Sequence, residues 1–160
     1  MSNLRRTVTI APGEQNIAFS REFDAPVSRV FAAHIDAELV AQWTGPRGTE
    51  VRLRHFDPRT GGSWSYLVTG LGGEWGFYGS FHEVTAPRRI VQTFEYEGLP
   101  GHPFFEAFTF VDIGNGRTRI DGVSVYQSAD DRDALLDVDS GRDEDYERLD
   151  ELLERLPAAV

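Results

Sequence analysis

The chain has 160 residues, 40% hydrophobic and 12% aromatic, with a formal net charge of −10. That length suits one domain burying about 68–70% of its extended-chain surface, and the aromatic content argues against disorder. The absence of cysteine excludes disulfides, thiolate metal sites and cysteine nucleophiles, and fits a reducing, cytoplasmic setting.

No apolar run approaches the roughly 20 residues of a membrane-spanning helix. The basic start Met1-Ser2-Asn3-Leu4-Arg5-Arg6 lacks the apolar stretch of a signal peptide. Between Asp130 and Glu154, twelve carboxylates face only Arg132, Arg142 and Arg148. Such a surface repels phosphate backbones, so no nucleic-acid partner is expected, and it reads as an acidic solubilising face.

In chain order, Thr7 to Ile10 reads as an edge extension before a Pro12-Gly13 turn, and residues 1–14 as an extension to a single domain over 15–157. Ile17, Phe19, Arg21 and Phe23 alternate with polar or small residues at the two-residue period of a strand. Asp24 is the expected cap of a short helix, with Pro26 in its first turn; Asp36 caps a second that carries Leu39, Val40 and Trp43. A meander of about six strands follows. Its segments centre on Val51–His55, Trp64–Val68, Trp75–Val84, Ile90–Tyr96, Phe105–Asp112 and Arg117–Tyr126. Gly70-Leu71-Gly72-Gly73 reads as a turn, and Gly114-Asn115-Gly116 is a strong hairpin signal because Asn-Gly accepts positive backbone dihedrals.

Ser128-Ala129-Asp130-Asp131 has the form of a capping box and predicts a short helix through Leu136. After Gly141, which reads as either an interruption or a start, Tyr146, Leu149, Leu152, Leu153 and Leu156 recur on one helical face. This order predicts an α+β fold: a curved antiparallel sheet wrapped around a long C-terminal helix, with two short helices after the first strand. Gly61-Gly62, Gly76, Gly79 and Gly122 are placed to permit the bend. Such a wrap leaves either a ligand-sized cavity or a core filled by its own rings. The wall candidates are Trp64, Tyr66, Trp75, Phe77, Phe94, Tyr96, Phe108 and Phe110, with Tyr126 as a polar handle beside Gln92 and Thr109.

Several stretches together resemble one known family. They are Arg21-Glu22-Phe23-Asp24-Ala25-Pro26-Val27-Ser28-Arg29-Val30-Phe31, Ala41-Gln42-Trp43-Thr44-Gly45-Pro46 and Asp57-Pro58-Arg59-Thr60-Gly61-Gly62-Ser63-Trp64. Phe77 to Val84, Pro87 to Val91 and Gly116 to Ile120 add to them. The chain is similar to bacterial proteins related to the C-terminal domain of the activator of the heat-shock chaperone ATPase, within the SRPBCC, START-like, birch-pollen-allergen-like superfamily. The resemblance implies the helix-grip fold and a cavity for a small apolar or aromatic molecule, without cofactor or catalytic signature. Trp43-Thr44 stands where the family usually has paired tryptophans, implying a wider mouth beside Trp43. Chaperone contact is implied weakly, and homodimerisation through sheet edges or an apolar face is left open.

Chemistry-bearing residues are sparse. His34, His55, His82 and His102 read as structural or surface residues, with His102, in the Gly98-Leu99-Pro100-Gly101 loop, the best rim candidate. Asp137-Val138-Asp139-Ser140-Gly141 imitates a calcium loop but has glycine at the fifth position and Arg148 at the twelfth, so it fails. Glu106 is expected at a water-exposed edge, or at the pocket entrance if its strand face is concave. A non-enzymatic carrier or sensor is the leading functional reading; a cyclase- or hydrolase-like enzyme and a chaperone-associated interaction module are the alternatives.

Overall fold

A computed structural model describes residues 4–11 and 13–157; Met1 to Asn3 and Pro12 of the expected turn lie outside the described residues. Its strands are β1 (Thr7–Thr9), β2 (Asn16–Phe23), β3 (Thr49–Phe56), β4 (Ser63–Gly70), β5 (Gly73–Thr85), β6 (Arg89–Tyr96), β7 (Phe104–Gly114) and β8 (Arg117–Val125). They form one antiparallel sheet in the order β1-β2-β8-β7-β6-β5-β4-β3. The first long strand thus pairs with the last, from Asn16↔Val125 to Phe23↔Thr118. The helices are α1 (Val27–Ile35) and α2 (Ala37–Trp43) after β2, then α3 (Ala129–Ala134) and α4 (Leu136–Arg155) at the C-terminal side. This is the helix-grip arrangement.

Local chemistry sets most boundaries. The Asp36 side chain accepts from Leu39 N at 3.2 Å, and Ser128 Oγ accepts from Asp131 N at 3.1 Å, so both caps form. Asp24 does not cap α1: Pro26 holds that position without a side-chain bond, and Asp24 pairs with Arg117 at 2.7 Å. The Asn115-Gly116 turn takes φ of 56° and 69°.

Gly141 lies inside α4, which begins at Leu136, ten residues before Tyr146 opens the leucine pattern, and the false calcium loop is ordinary helix. Its acidic face is not merely solvated. Arg21 Nη1 and Nη2 clamp Asp150 at 2.7 Å each, Arg6 holds Asp139 at 3.0 Å and Asp143 at 2.7 Å, and Arg47 reaches Glu151 at 2.6 Å.

The core joins α1, α2 and the distal half of α4 to the sheet. Tyr146, Leu149, Leu152 and Leu153 are buried against Phe23, Phe31, Trp43 and Ile120. Each such side chain contributes about 1.5–3 kcal/mol by leaving water. Two glycines let rings lie flat on the concave face. A Cβ on Gly122 would stand 2.2 Å from the Phe19 ring; one on Gly79 would stand 1.9 Å from Thr93 O and 2.8 Å from the Trp64 ring.

Candidate functional site: a cavity between sheet and helix

The proximal half of α4 does not close onto the sheet. A cavity of about 660 Å³ separates them, within the range of small-molecule sites. Its floor is the alternating inward face of the meander: Trp64, Tyr66 and Val68 from β4, Trp75, Phe77 and Phe81 from β5, Ile90, Gln92, Phe94 and Tyr96 from β6, and Glu106 and Phe108 from β7. The rings pave it continuously. Trp64 lies 5.3 Å from both Tyr66 and Phe94, Phe77 5.4 Å from Tyr66 and Phe94, and Tyr96 5.2 Å from Phe77.

The roof is different. Ala134 of α3 and Val138, Gly141 and Asp145 of α4 present little bulk there, while Leu135, Arg142 and Tyr146 also border the space. A Cβ on Gly141 would meet nothing within 4 Å. Trp43 closes the inner end, its Nε1 donating to Ala33 O at 3.0 Å while its ring stacks on Tyr146. One wall, Thr44-Gly45-Pro46, is tied to α4 because Arg148 donates to the carbonyls of Gln42, Thr44 and Gly45.

Of the residues singled out from sequence, Trp43, Trp64, Tyr66, Trp75, Phe77, Phe94, Tyr96 and Phe108 border this cavity. His102, Phe110 and Tyr126 lie elsewhere. The His102 Nδ1 sits 2.9 Å from Asp131, which draws the loop against α3, so Gly98 and Leu99 reach the cavity instead. Phe110 lies under α1, 4.9 Å from Phe31. Tyr126 packs 4.5 Å from Phe104 in a separate cluster with Ile17 and Leu135. Thr109 also stands outside the cavity, beside Arg89 at 3.4 Å.

Glu106 is neither exposed nor at an edge. It is 1% exposed on a strand flanked by β6 and β8. Its carboxylate accepts from Gln92 Nε2 at 3.0 Å, from Ser124 Oγ at 3.3 Å and from Arg142 Nη2. The guanidinium lies over Phe108 and Phe19, 5.2 and 5.4 Å from their centroids. Burial works against that charge, but Glu106, Tyr146 and Asp139 outweigh it, so Arg142 holds its proton more tightly than usual. Two donors in the wall remain unused: Trp64 Nε1 and Arg142 Nε are buried without a hydrogen-bond partner among the described residues. Each costs about 1–3 kcal/mol in that state.

Two further titrating groups border the cavity. Burial lowers His34 to about 4; its Nδ1 donates to Val30 O at 2.8 Å, leaving Nε2 an acceptor. Burial pushes the Asp145 carboxyl up to about 7, against Arg142 and a hydrogen bond from Gly45. A carboxyl that binds its proton more tightly when folded loses stability as pH rises from its ordinary 3.8 to about 7. His34 works oppositely, adding stability as pH rises from about 4 to its ordinary 6.5, which masks the effect in the wild type. Asp145→Asn is therefore expected to gain on the wild type by roughly 1 kcal/mol per pH unit between about pH 4 and 7. Urea unfolding at a series of pH values checks this, and a pH-independent difference counts against it.

Residues 24–154 match the family described as Activator of Hsp90 ATPase homolog 1-like protein. The fold is similar to a Rhodobacter sphaeroides protein at 25% identity and TM-score 0.82, covering 94% of this chain and 100% of that one. It is also similar to the protein Ms6760 from Mycobacterium smegmatis, at 24% identity and TM-score 0.81, covering 94% and 99%. An HSP90 activator from Plasmodium falciparum shares the fold at 18% identity and TM-score 0.54, covering 69% of this chain and 72% of that one. No curated protein matches the sequence.

Proposed function

The chain belongs to the family of Activator of Hsp90 ATPase homolog 1-like proteins, and from that premise we propose that it binds a small apolar or aromatic molecule between the sheet and α4. The observation that carries this reading is the ring-paved cavity of about 660 Å³ beneath α3 and the proximal half of α4, where Ala134 and Gly141 stand among the lining residues. A solid core would place leucines where Ala134, Val138 and Gly141 stand. Contact with a chaperone rests on the family description alone.

The cyclase- or hydrolase-like alternative gains nothing from the geometry. His82 is exposed, His102 is held by Asp131, and Tyr126 packs outside the cavity. Glu106 borders it but is engaged by Arg142, Gln92 and Ser124.

Thermal unfolding with N-phenyl-1-naphthylamine, an uncharged aromatic probe, tests the proposal. At a concentration of about 100 times its dissociation constant, the bound probe adds about 2.7 kcal/mol. For a chain of this size that raises the unfolding temperature by roughly 5–10 °C. An unfolding temperature unmoved by this probe and by smaller aromatic hydrocarbons would remove the reading.

A further inference from the structure

Resting on that reading of the cavity, we propose that its occupant is an organic amine, charged at neutral pH, whose ammonium pairs with Asp145 while its aromatic frame lies on the rings. The sign of the charge follows from the wall. Among the described residues bordering the space, Arg142 is the one permanent cation, and Glu106 already matches it. Burial keeps His34 neutral at pH 7. Asp137, Glu144 and Asp145 remain as a net negative field, which concentrates cations and repels anions.

Asp145 is the carboxyl of that set without a counter-ion. It lies one helical turn beyond Gly141, on the same face of α4, where the space in front of the glycine is open. Two arginines flank it, yet neither forms an ion pair with it: Arg142 is turned to Glu106, and Arg148 to the carbonyls of Gln42, Thr44 and Gly45. Glu144 beside it accepts from Arg47 N at 2.6 Å. Burial therefore prevails over both arginines and the Gly45 hydrogen bond, and a negative charge at Asp145 is poorly solvated. A ligand ammonium supplies the missing partner. From the floor, the Tyr66 hydroxyl is near enough for Asp145 to add to the effect of burial in keeping it protonated. It has no hydrogen-bond partner among the described residues, so its oxygen is free to accept an ammonium N–H. Tyr66 and Asp145 are both half-buried and both border the cavity, so a ligand reaches them. The stacked rings of Trp64 with Tyr66 and of Phe77 with Tyr96 add cation–π attraction, which grows as the cation loses water. This core already holds guanidinium groups over Phe19, Phe23 and Phe108.

The test is calorimetric titration of the full chain with 1-naphthylmethylamine, its neutral isostere 1-ethylnaphthalene and the anion 1-naphthaleneacetate. At pH 8 wild type is expected to bind the amine about tenfold more tightly than 1-ethylnaphthalene, as a hydrogen bond to a charged partner predicts. At pH 6 the amine is still charged but Asp145, raised to about 7, is mostly protonated, so amine affinity falls about tenfold while that of 1-ethylnaphthalene changes less than about threefold. In Asp145→Asn, which relieves a buried charge and keeps the side-chain shape, the preference for the amine and its pH dependence both shrink below about threefold. Equal affinities for the amine and 1-ethylnaphthalene, tighter binding of the anion, or a preference that survives Asp145→Asn or does not change with pH overturns this proposal and leaves the cavity reading intact. Failure of all three compounds to bind overturns the cavity reading and this inference with it.

Discussion

Arg142→Met is expected to destabilise the protein by about 3–5 kcal/mol, the range for removing one partner of a buried ion pair. The cost arises mainly from what is left behind. Glu106 stands in the middle of the sheet at 1% exposure, and Gln92 and Ser124 then remain its only side-chain partners among the described residues. Two neutral donors do not replace a guanidinium in a poorly solvated site. Adding Glu106→Gln to the same chain removes the stranded charge, and the double variant is expected to recover most of the loss. Urea unfolding of wild type, both single variants and the double variant measures this. A loss under about 1 kcal/mol in Arg142→Met would show that the pair does not hold the helix to the sheet.

The second large effect is on binding. Gly141→Phe starts its side chain in open space at the roof of the cavity, with no heavy atom within 4 Å of the new Cβ. The substitution removes a glycine from a helix interior, which by itself favours folding by roughly 0.3–0.5 kcal/mol, since phenylalanine lies between alanine and glycine in helix propensity. The ring occupies volume that a ligand would use, so aromatic probes are expected to lose at least about 2 kcal/mol, or roughly thirtyfold in affinity. Stability and binding therefore move in opposite directions, which no general disruption of the fold produces.

The architecture was largely legible because strand alternation, caps and turns are local signals. Asp36, Ser128 and Asn115-Gly116 each act through neighbouring backbone, and the concave set Trp64, Tyr66, Phe94 and Tyr96 follows from a period of two. The roof was not legible for the opposite reason. Ala134, Gly141 and Asp145 border the cavity rather than the packed core, so the apolar periodicity that marks a packed helix is missing there. This is why α4 extends further toward the N-terminus than the leucine pattern indicated. Glu106 was misplaced because its counter-charge lies 36 residues later and arrives only through the tertiary fold. His102 was drawn aside by Asp131, a pairing that loop composition does not reveal. His34 carried one available signal: it follows Val30 by four residues, so a helix brings its ring back to that carbonyl.

Parallel titrations of wild type and Gly141→Phe with N-phenyl-1-naphthylamine test the open cavity most directly, with unfolding temperatures recorded on the same samples. Saturable binding of one probe per chain, abolished by the phenylalanine while the unfolding temperature stays level or rises, is the predicted result. Equal binding by both proteins, or none by the wild type, would contradict it.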